Sequence, residues 1–193
     1  FVLSSFLIIF ALDNMGNYYI SLNQHSKAEK SFLEALNVVS TIDDEVRKGK
    51  ILGNLALIKQ AEKKYIEAQK LLEEGLVYSE KHKDDKNTMH ASIQLAGLFL
   101  EQNKIENAKK SIAIAEEIAN SKIYYKKSLF QIYKLKFKIA NIEKNDTEEL
   151  YIRRKLSTLE EELNNADGDN VYQKANWLLK KEQYTHKLNL ANA

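Results

Sequence analysis

The stretch Leu12–Ala35, LDNMGNYYISLNQHSKAEKSFLEA, contains a pattern of apolar residues that returns twice at intervals of forty residues. Three of its positions hold small residues: Gly16, Ala28 and Ala35, then Ala56, Ala68 and Gly75, then Ala96, Ala108 and Ala115. Larger apolar residues accompany them at constant offsets: Leu12, Met15, Tyr19 and Phe32, then Leu52, Leu55 and Leu72, then Leu95, Phe99 and Ile112. An internal period of this length is typical of repeat proteins, whose units stack into one continuous core.

Each repeat predicts two helices joined by a short turn. Apolar residues between Ala11 and Leu22 recur every three or four positions, as they do on one face of an α-helix. Asn23 follows, and asparagine tolerates the left-handed backbone conformation that ends many helices. Asn103 and Lys63 occupy the same place in the other two repeats, although lysine suits such a turn less well. The small residues then lie where two antiparallel helices must touch.

Polar residues predict where several helices begin. Ser26 and Glu29 are spaced as a capping box for the second helix of the first pair, with Gly16 of the first helix facing Ala28. Acidic pairs before the second and third repeats also suit helix starts; they are Asp43 with Asp44 and Asp84 with Asp85.

The spacing Leu12-x2-Met15-Gly16-x2-Tyr19…Ala28-x3-Phe32-x2-Ala35 resembles the tetratricopeptide repeat (TPR) family. The resemblance implies an all-α fold, a right-handed α-solenoid of antiparallel helix pairs that ends in a C-terminal capping helix. We expect one domain, 1–193, with repeats at about 9–42, 49–82 and 89–122, a degenerate fourth pair at 123–164 and a final helix at about 169–190. Forty residues exceed the usual length of about 34, and we expect the surplus in the second helix and linker, at 41–48 and 81–88. Long repeats of this kind are similar to those of bacterial peptide-sensing regulators and phosphatases and of sensor-kinase TPR regions.

The fourth pair departs from the pattern. Lys136 lies where glycine or alanine is expected, and Glu148 lies where the second helix should offer alanine. A capping box of Asp146 and Glu149 still predicts a second helix there. Its apolar stripe consists of Ile152, Leu156, Leu159 and Leu163.

Composition excludes several classes of function. The 193 residues contain no proline, which suits a helical chain, and no cysteine, which excludes disulfides and thiolate chemistry. The net charge is only +2, without long runs of like charge, so we expect no nucleic-acid partner. The apolar segment Phe1–Leu12 is too short to span a bilayer. The sequence opens at Phe1, and we expect it to be an excised part of a longer protein. The compartment stays open, with the cytoplasm favoured.

No constellation of catalytic residues is visible. His25, His82, His90 and His186 lack metal-ligand spacing, and no phosphate-binding glycine-rich loop or nucleophile motif is present. We therefore expect a protein that is not an enzyme and that uses no cofactor or metal.

The resemblance to TPR proteins implies a binding groove on the concave face, lined by the first helix of each pair. Carried over, the groove residues are Asp13, Asn14, Asn17, Lys50, Asn54, Leu57, His90, Gln94, Tyr133, Lys134 and Phe137. Asn14, Asn54 and Gln94 form a ladder of amides, which can both donate to and accept from a peptide backbone. Chaperone-binding members clamp a carboxylate with lysine, asparagine and arginine, whereas Asp13 would repel one. We therefore do not expect a chaperone-tail receptor.

The sequence favours a scaffold or sensing module of a larger bacterial regulatory protein, with a protein or peptide ligand in the concave groove. Two alternatives stay open. One is the sensory input region of a signalling enzyme such as a histidine kinase. The other is a self-associating assembly domain that forms a homodimer through its N-terminal apolar helix, because Phe1–Leu12 crowds apolar side chains on more than one side.

Overall fold

The computed structural model describes residues 2–121 and 125–164, and this part of the chain contains helices and no strand. The helices are α1 (Val2–Ser21), α2 (His25–Ser40), α3 (Glu45–Ala61), α4 (Tyr65–Lys81), α5 (Asp85–Glu101), α6 (Ile105–Asn120), α7 (Lys126–Glu143) and α8 (146–164). Successive helices pack as antiparallel pairs, and each pair stacks on the next. The prediction of an all-α solenoid is confirmed. The predicted final helix at 169–190 lies outside the described residues.

The turns within pairs follow the sequence prediction. Asn23, Lys63 and Asn103 have φ angles of 56°, 61° and 57°, the left-handed conformation that ends a helix. In each case the amide of the next residue donates to a carbonyl five positions back, as Gln24 N does to Tyr19 O at 2.9 Å. These short turns fold the second helix back on the first. His25, Tyr65 and Ile105, equivalent in sequence, each begin that second helix.

Two helices begin earlier than the sequence predicts. Helix α2 is capped at Gln24 without a side-chain hydrogen bond, so the predicted capping box at Ser26 is wrong. Helix α8 follows Asn145, whose side-chain oxygen accepts from the amide of Glu148 at 3.1 Å, so Asp146 is not the cap. In both cases the turn leaves the preceding helix sooner than the polar pattern indicates, and the cap moves toward the N-terminus.

Acidic caps start the first helices of the second and third pairs. Asp44 accepts from the amide of Arg47 at 3.0 Å, and Asp84 accepts from the amide of Asn87 at 3.1 Å. These helices therefore begin at Glu45 and Asp85, one turn earlier than the repeat boundaries at residues 49 and 89. The surplus over the usual repeat length thus enlarges both helices of a pair, each 16 or 17 residues long in the second and third pairs.

Small residues control the spacing of paired helices, as the sequence predicts, although not always against the expected partner. A Cβ atom on Gly16 would lie 2.5 Å from the ring of Phe32, so Gly16 accommodates Phe32 and not Ala28. Between α3 and α4, a Cβ on Gly75 would lie 2.9 Å from the carbonyl oxygen of Gly49. Backbone meets backbone at this point, and Gly49 is a partner that the repeat pattern did not indicate.

Candidate functional site

A buried carboxylate anchors the N-terminal end of the concave face. Asp13 of α1 is 7% exposed and accepts from Lys50 Nζ at 2.6 Å and from Asn54 Nδ2 at 2.8 Å, both from α3. Asn17 lies one turn along α1 and donates to the Asp13 carbonyl oxygen at 2.8 Å and to its Oδ1 at 3.4 Å. A buried charge must be paired and hydrogen-bonded, and these contacts meet that requirement. The network joins the first two helix pairs.

This network changes the interpretation of the predicted amide ladder. Asn14 is exposed, and the amide nitrogen of Asn54 is engaged by Asp13. Gln94 differs from both, because its Oε1 is buried without a hydrogen-bond partner in the structure. A buried acceptor without a partner carries a free-energy cost that a donor from a ligand would remove. Gln94 is therefore the amide of the ladder most in need of a ligand donor.

A polar cavity of about 370 Å³ lies between α3 and α5. Gly49, Gly53 and Gly75 contribute backbone to its lining, and Gly49 and Gly75 are the two glycines that bring α3 and α4 into backbone contact. The remaining lining is mostly polar and consists of Lys50, Asn54, Asp84, Lys86, Asn87, His90, Ala91 and Gln94. Asn87 Nδ2 donates to Asp84 Oδ2 at 2.8 Å, which fixes the acidic edge of the cavity.

A second cavity of about 490 Å³ continues from the first toward α7. It is lined by Leu57, His90, Ile93, Gln94, Gln131, Lys134, Leu135 and Lys138. His90 and Gln94 line both cavities, so the two form one groove that crosses α3, α5 and α7. The groove offers polar groups at one end and apolar side chains at the other.

His90 lies at the junction, and its surroundings affect its charge. Desolvation by the protein around it lowers the pKa of His90, and the positive charge of Lys86 lowers that pKa further. More than a third of the residue remains exposed, so a ligand can reach it. A neutral imidazole has one donor and one acceptor nitrogen, whereas the protonated ring only donates.

The fourth pair does not place its aromatic residues as expected. Of the three predicted groove residues on α7, Lys134 lines the second cavity, whereas Tyr133 and Phe137 line neither cavity. Arg153 of α8 lies over the ring of Phe137 at 5.2 Å. Burial raises the pKa of Tyr133, and Glu116 and a hydrogen bond to Tyr151 of α8 raise it further. Tyr133 and Phe137 therefore lie on the side of α7 that faces α8. The side of α7 that faces the groove carries Gln131, Lys134, Leu135 and Lys138.

Groove residues at both ends, Lys86 and Lys138, were not predicted from the sequence. Lys86 lies in the first turn of α5, which precedes the predicted repeat boundary at residue 89. Asp84, the residue that caps this turn, was the sequence signal that could have revealed it. Lys138 lines the groove because of the way α7 is rotated, and no sequence pattern indicated that rotation. Lys50 is neutralised by its ion pair with Asp13, and Lys86, Lys134 and Lys138 stand against Asp84, so the groove lining carries a net positive charge.

Within 2–121 and 125–164, no group of three or more histidine, aspartate or glutamate side chains is placed to hold a metal ion. In the same part of the chain, no helix has the length and apolarity needed to cross a membrane.

Comparisons with known proteins support the fold. No protein-family model matches the chain, and no curated protein matches it. The crystal structure of BtubC (BKLC) from P. vanneervenii is similar over 83% of this chain and 66% of that chain, with a TM-score of 0.72 and 14% identity. The crystal structure of the TPR domain of Arabidopsis FLU is similar over 61% of this chain and 99% of that domain, with a TM-score of 0.57 and 19% identity.

The chain thus spans about two thirds of the length of BtubC. At these identities the likeness shows the fold alone, a TPR-like helical repeat. Such a fold is in general a scaffold for protein interactions.

Proposed function

We propose that this chain is a protein-interaction scaffold that holds an extended peptide in the groove across α3, α5 and α7. The observation that carries the proposal is Gln94 Oε1, a buried acceptor without a partner at the junction of the two cavities. This oxygen lies against Gly53. An extended peptide presents backbone N–H groups along its length, and one of them would satisfy the oxygen when the Gln94 side chain turns toward the groove.

The rest of the lining favours a particular kind of peptide. Lys50 is paired with Asp13, and the remaining groove lysines, Lys86, Lys134 and Lys138, outnumber the carboxylate of Asp84. The long-range attraction therefore favours an acidic segment. Leu57, Ile93 and Leu135 offer an apolar surface in the second cavity. A peptide with acidic residues next to an apolar anchor would therefore match both ends of the groove. That this scaffold acts within a bacterial regulatory protein stays a prediction.

The test uses a phage-displayed library of random peptides selected on the 193-residue chain, followed by titration calorimetry of the enriched peptides. Gln94→Leu should weaken binding by about 1–3 kcal/mol, because it removes the acceptor at the junction. Gln69→Leu is the matched control, because Gln69 lies on α4 and donates to Glu73 outside the groove. Asn54→Ala is a poorer test, since Asn54 also holds Asp13.

Enriched peptides that bind Gln94→Leu as tightly as the unmodified chain would refute the groove assignment. So would a selection in which no peptide is enriched over an empty support.

A further inference from the structure

Helix α1 carries an exposed apolar face, here called the α1 stripe, made of Leu3, Leu7, Phe10, Met15, Tyr18 and Leu22. These side chains are between 46% and 74% exposed. They lie on one side of the helix, while Ile9, Asp13 and Gly16 are buried on the other. An apolar patch of this kind on a helix marks an interaction surface.

One edge of the stripe corresponds to positions that are buried elsewhere in the solenoid. Met15 and Tyr18 are equivalent to Leu55 and Ile58 of α3, which are 3% and 0% exposed in a core shared with α2. A helix that stacked on α1 as α2 stacks on α3 would cover Met15 and Tyr18.

The other edge has no such counterpart. Leu7 and Phe10 are equivalent to Arg47 and Lys50 of α3, which are exposed. Repeat stacking leaves these two positions in water, and α1 places large apolar side chains there. The stripe is therefore wider than one stacked helix of this solenoid would cover, and it calls for a broader partner.

The size and chemistry of the stripe fit a second copy. From the exposures given above, its six side chains present roughly 700 Å² of apolar surface, close to the ~800 Å² per partner of a standard interface. Asp13 is the one charged residue of α1, and it is buried beneath the helix. A face without charge meets its own copy without repulsion, as a two-fold interface requires.

We propose that two copies of this chain associate through their α1 stripes about a two-fold axis. The inference is independent of the groove, which lies across α3, α5 and α7, and either can fail without the other. The dimer would present two grooves, so a partner with two copies of the recognised peptide would bind both at once.

Sedimentation equilibrium of the 193-residue chain tests this from 1 to 100 µM. The unmodified chain should be dimeric over most of this range. Leu7→Glu with Tyr18→Glu should be monomeric at 100 µM, because the dimer would then bury four carboxylates. Val77→Glu is the matched control and should remain dimeric, since Val77 is 62% exposed on α4. Far-UV circular dichroism checks that each variant keeps its helices. A monomer of the unmodified chain at 100 µM, or dissociation by Val77→Glu, would overturn the proposal.

Disulfide trapping supplies a second measurement that does not depend on a destabilising change. The chain contains no cysteine, so a single introduced cysteine can form a disulfide only with the same cysteine of a second copy. Ala11 is exposed near the middle of α1. In the proposed dimer it would lie close to Ala11 of the second copy at any crossing angle of the two α1 helices. Ala11→Cys should form covalent dimers on mild oxidation, and Ile66→Cys, at a residue 74% exposed on α4, should not. Equal trapping at both sites would contradict the α1 interface.

Discussion

Replacing Gly75 or Gly97 by alanine tests the packing of the solenoid, because the same substitution should have opposite effects at the two sites. Both glycines lie within helices, α4 and α5, where alanine is favoured over glycine by about 1 kcal/mol. The sign of the net effect therefore depends on what the new methyl group meets.

At Gly75 the methyl carbon would lie 2.9 Å from the carbonyl oxygen of Gly49, closer than an ordinary contact. The obstacle is backbone, which cannot rotate away, so α3 and α4 must move apart. Overpacking of this kind costs about 1–3 kcal/mol, which outweighs the gain in helix propensity. We expect Gly75→Ala to lower the free energy of unfolding by up to about 2 kcal/mol once that gain is included.

At Gly97 no heavy atom lies within 4 Å of the new methyl carbon. The propensity term then acts alone, and Gly97→Ala should raise the free energy of unfolding by about 0.5–1 kcal/mol. For a chain of this size, each kcal/mol corresponds to a change in Tm of about 2–4 °C.

Thermal and urea unfolding followed by circular dichroism measure both variants against the unmodified chain. Gly75→Ala should shift the midpoint down and Gly97→Ala should shift it up. If both variants gained the same stability, α3 and α4 would not be in backbone contact, and the explanation for the glycine pair would be wrong.

Two further predictions concern the fourth pair and the groove. Lys136→Ala alone should lower the free energy of unfolding by about 1 kcal/mol, because Glu116, 3.1 Å away and partly buried, then loses its ion pair. Adding Glu116→Leu should restore or exceed the original stability, because the pair then matches the residues of the regular repeats. Urea midpoints of the two variants measure this, and simple additivity of the two substitutions would refute it. The pKa of His90 is lower in the folded chain than in the unfolded chain, so the unfolded chain binds more protons and stability falls as the pH drops below about 6.5. Between pH 7.5 and 5.5 the Tm of His90→Gln should therefore fall less than that of the unmodified chain. An equal fall would mean that His90 does not contribute.

Much of the fold could be predicted because the decisive signals are local. The spacing of apolar residues along one helix is a property of that segment, and so are the left-handed turns at Asn23 and Asn103. The small residues of the repeat correctly indicated close helix contacts, since only small side chains allow them. The helix starts were less well predicted, because several polar residues compete for the cap, and Gln24 caps α2 in place of the predicted Ser26.

The candidate site was predicted less well, because its geometry depends on how separate helices are rotated and offset. The resemblance to TPR proteins implied that Asp13, Lys50 and Asn54 lie on the concave face, but only the packing of α1 on α3 brings them into hydrogen-bonding distance. That contact engages Asn54 and leaves Gln94 as the amide with a buried oxygen to satisfy. No periodicity distinguishes two amides at equivalent positions.

The sequence by itself determined that the chain forms helix pairs with a forty-residue period, since periodicity and turn chemistry act within a few residues. The tertiary structure decided which faces meet. Lys136, at a position where the repeat pattern predicts a small residue, forms an ion pair between α7 and Glu116 of α6. Phe137 lies under Arg153 of α8 and not in the groove. The physical reason is that contacts between helices depend on rotations and offsets that add up over many residues, and these are fixed only when all the helices pack together.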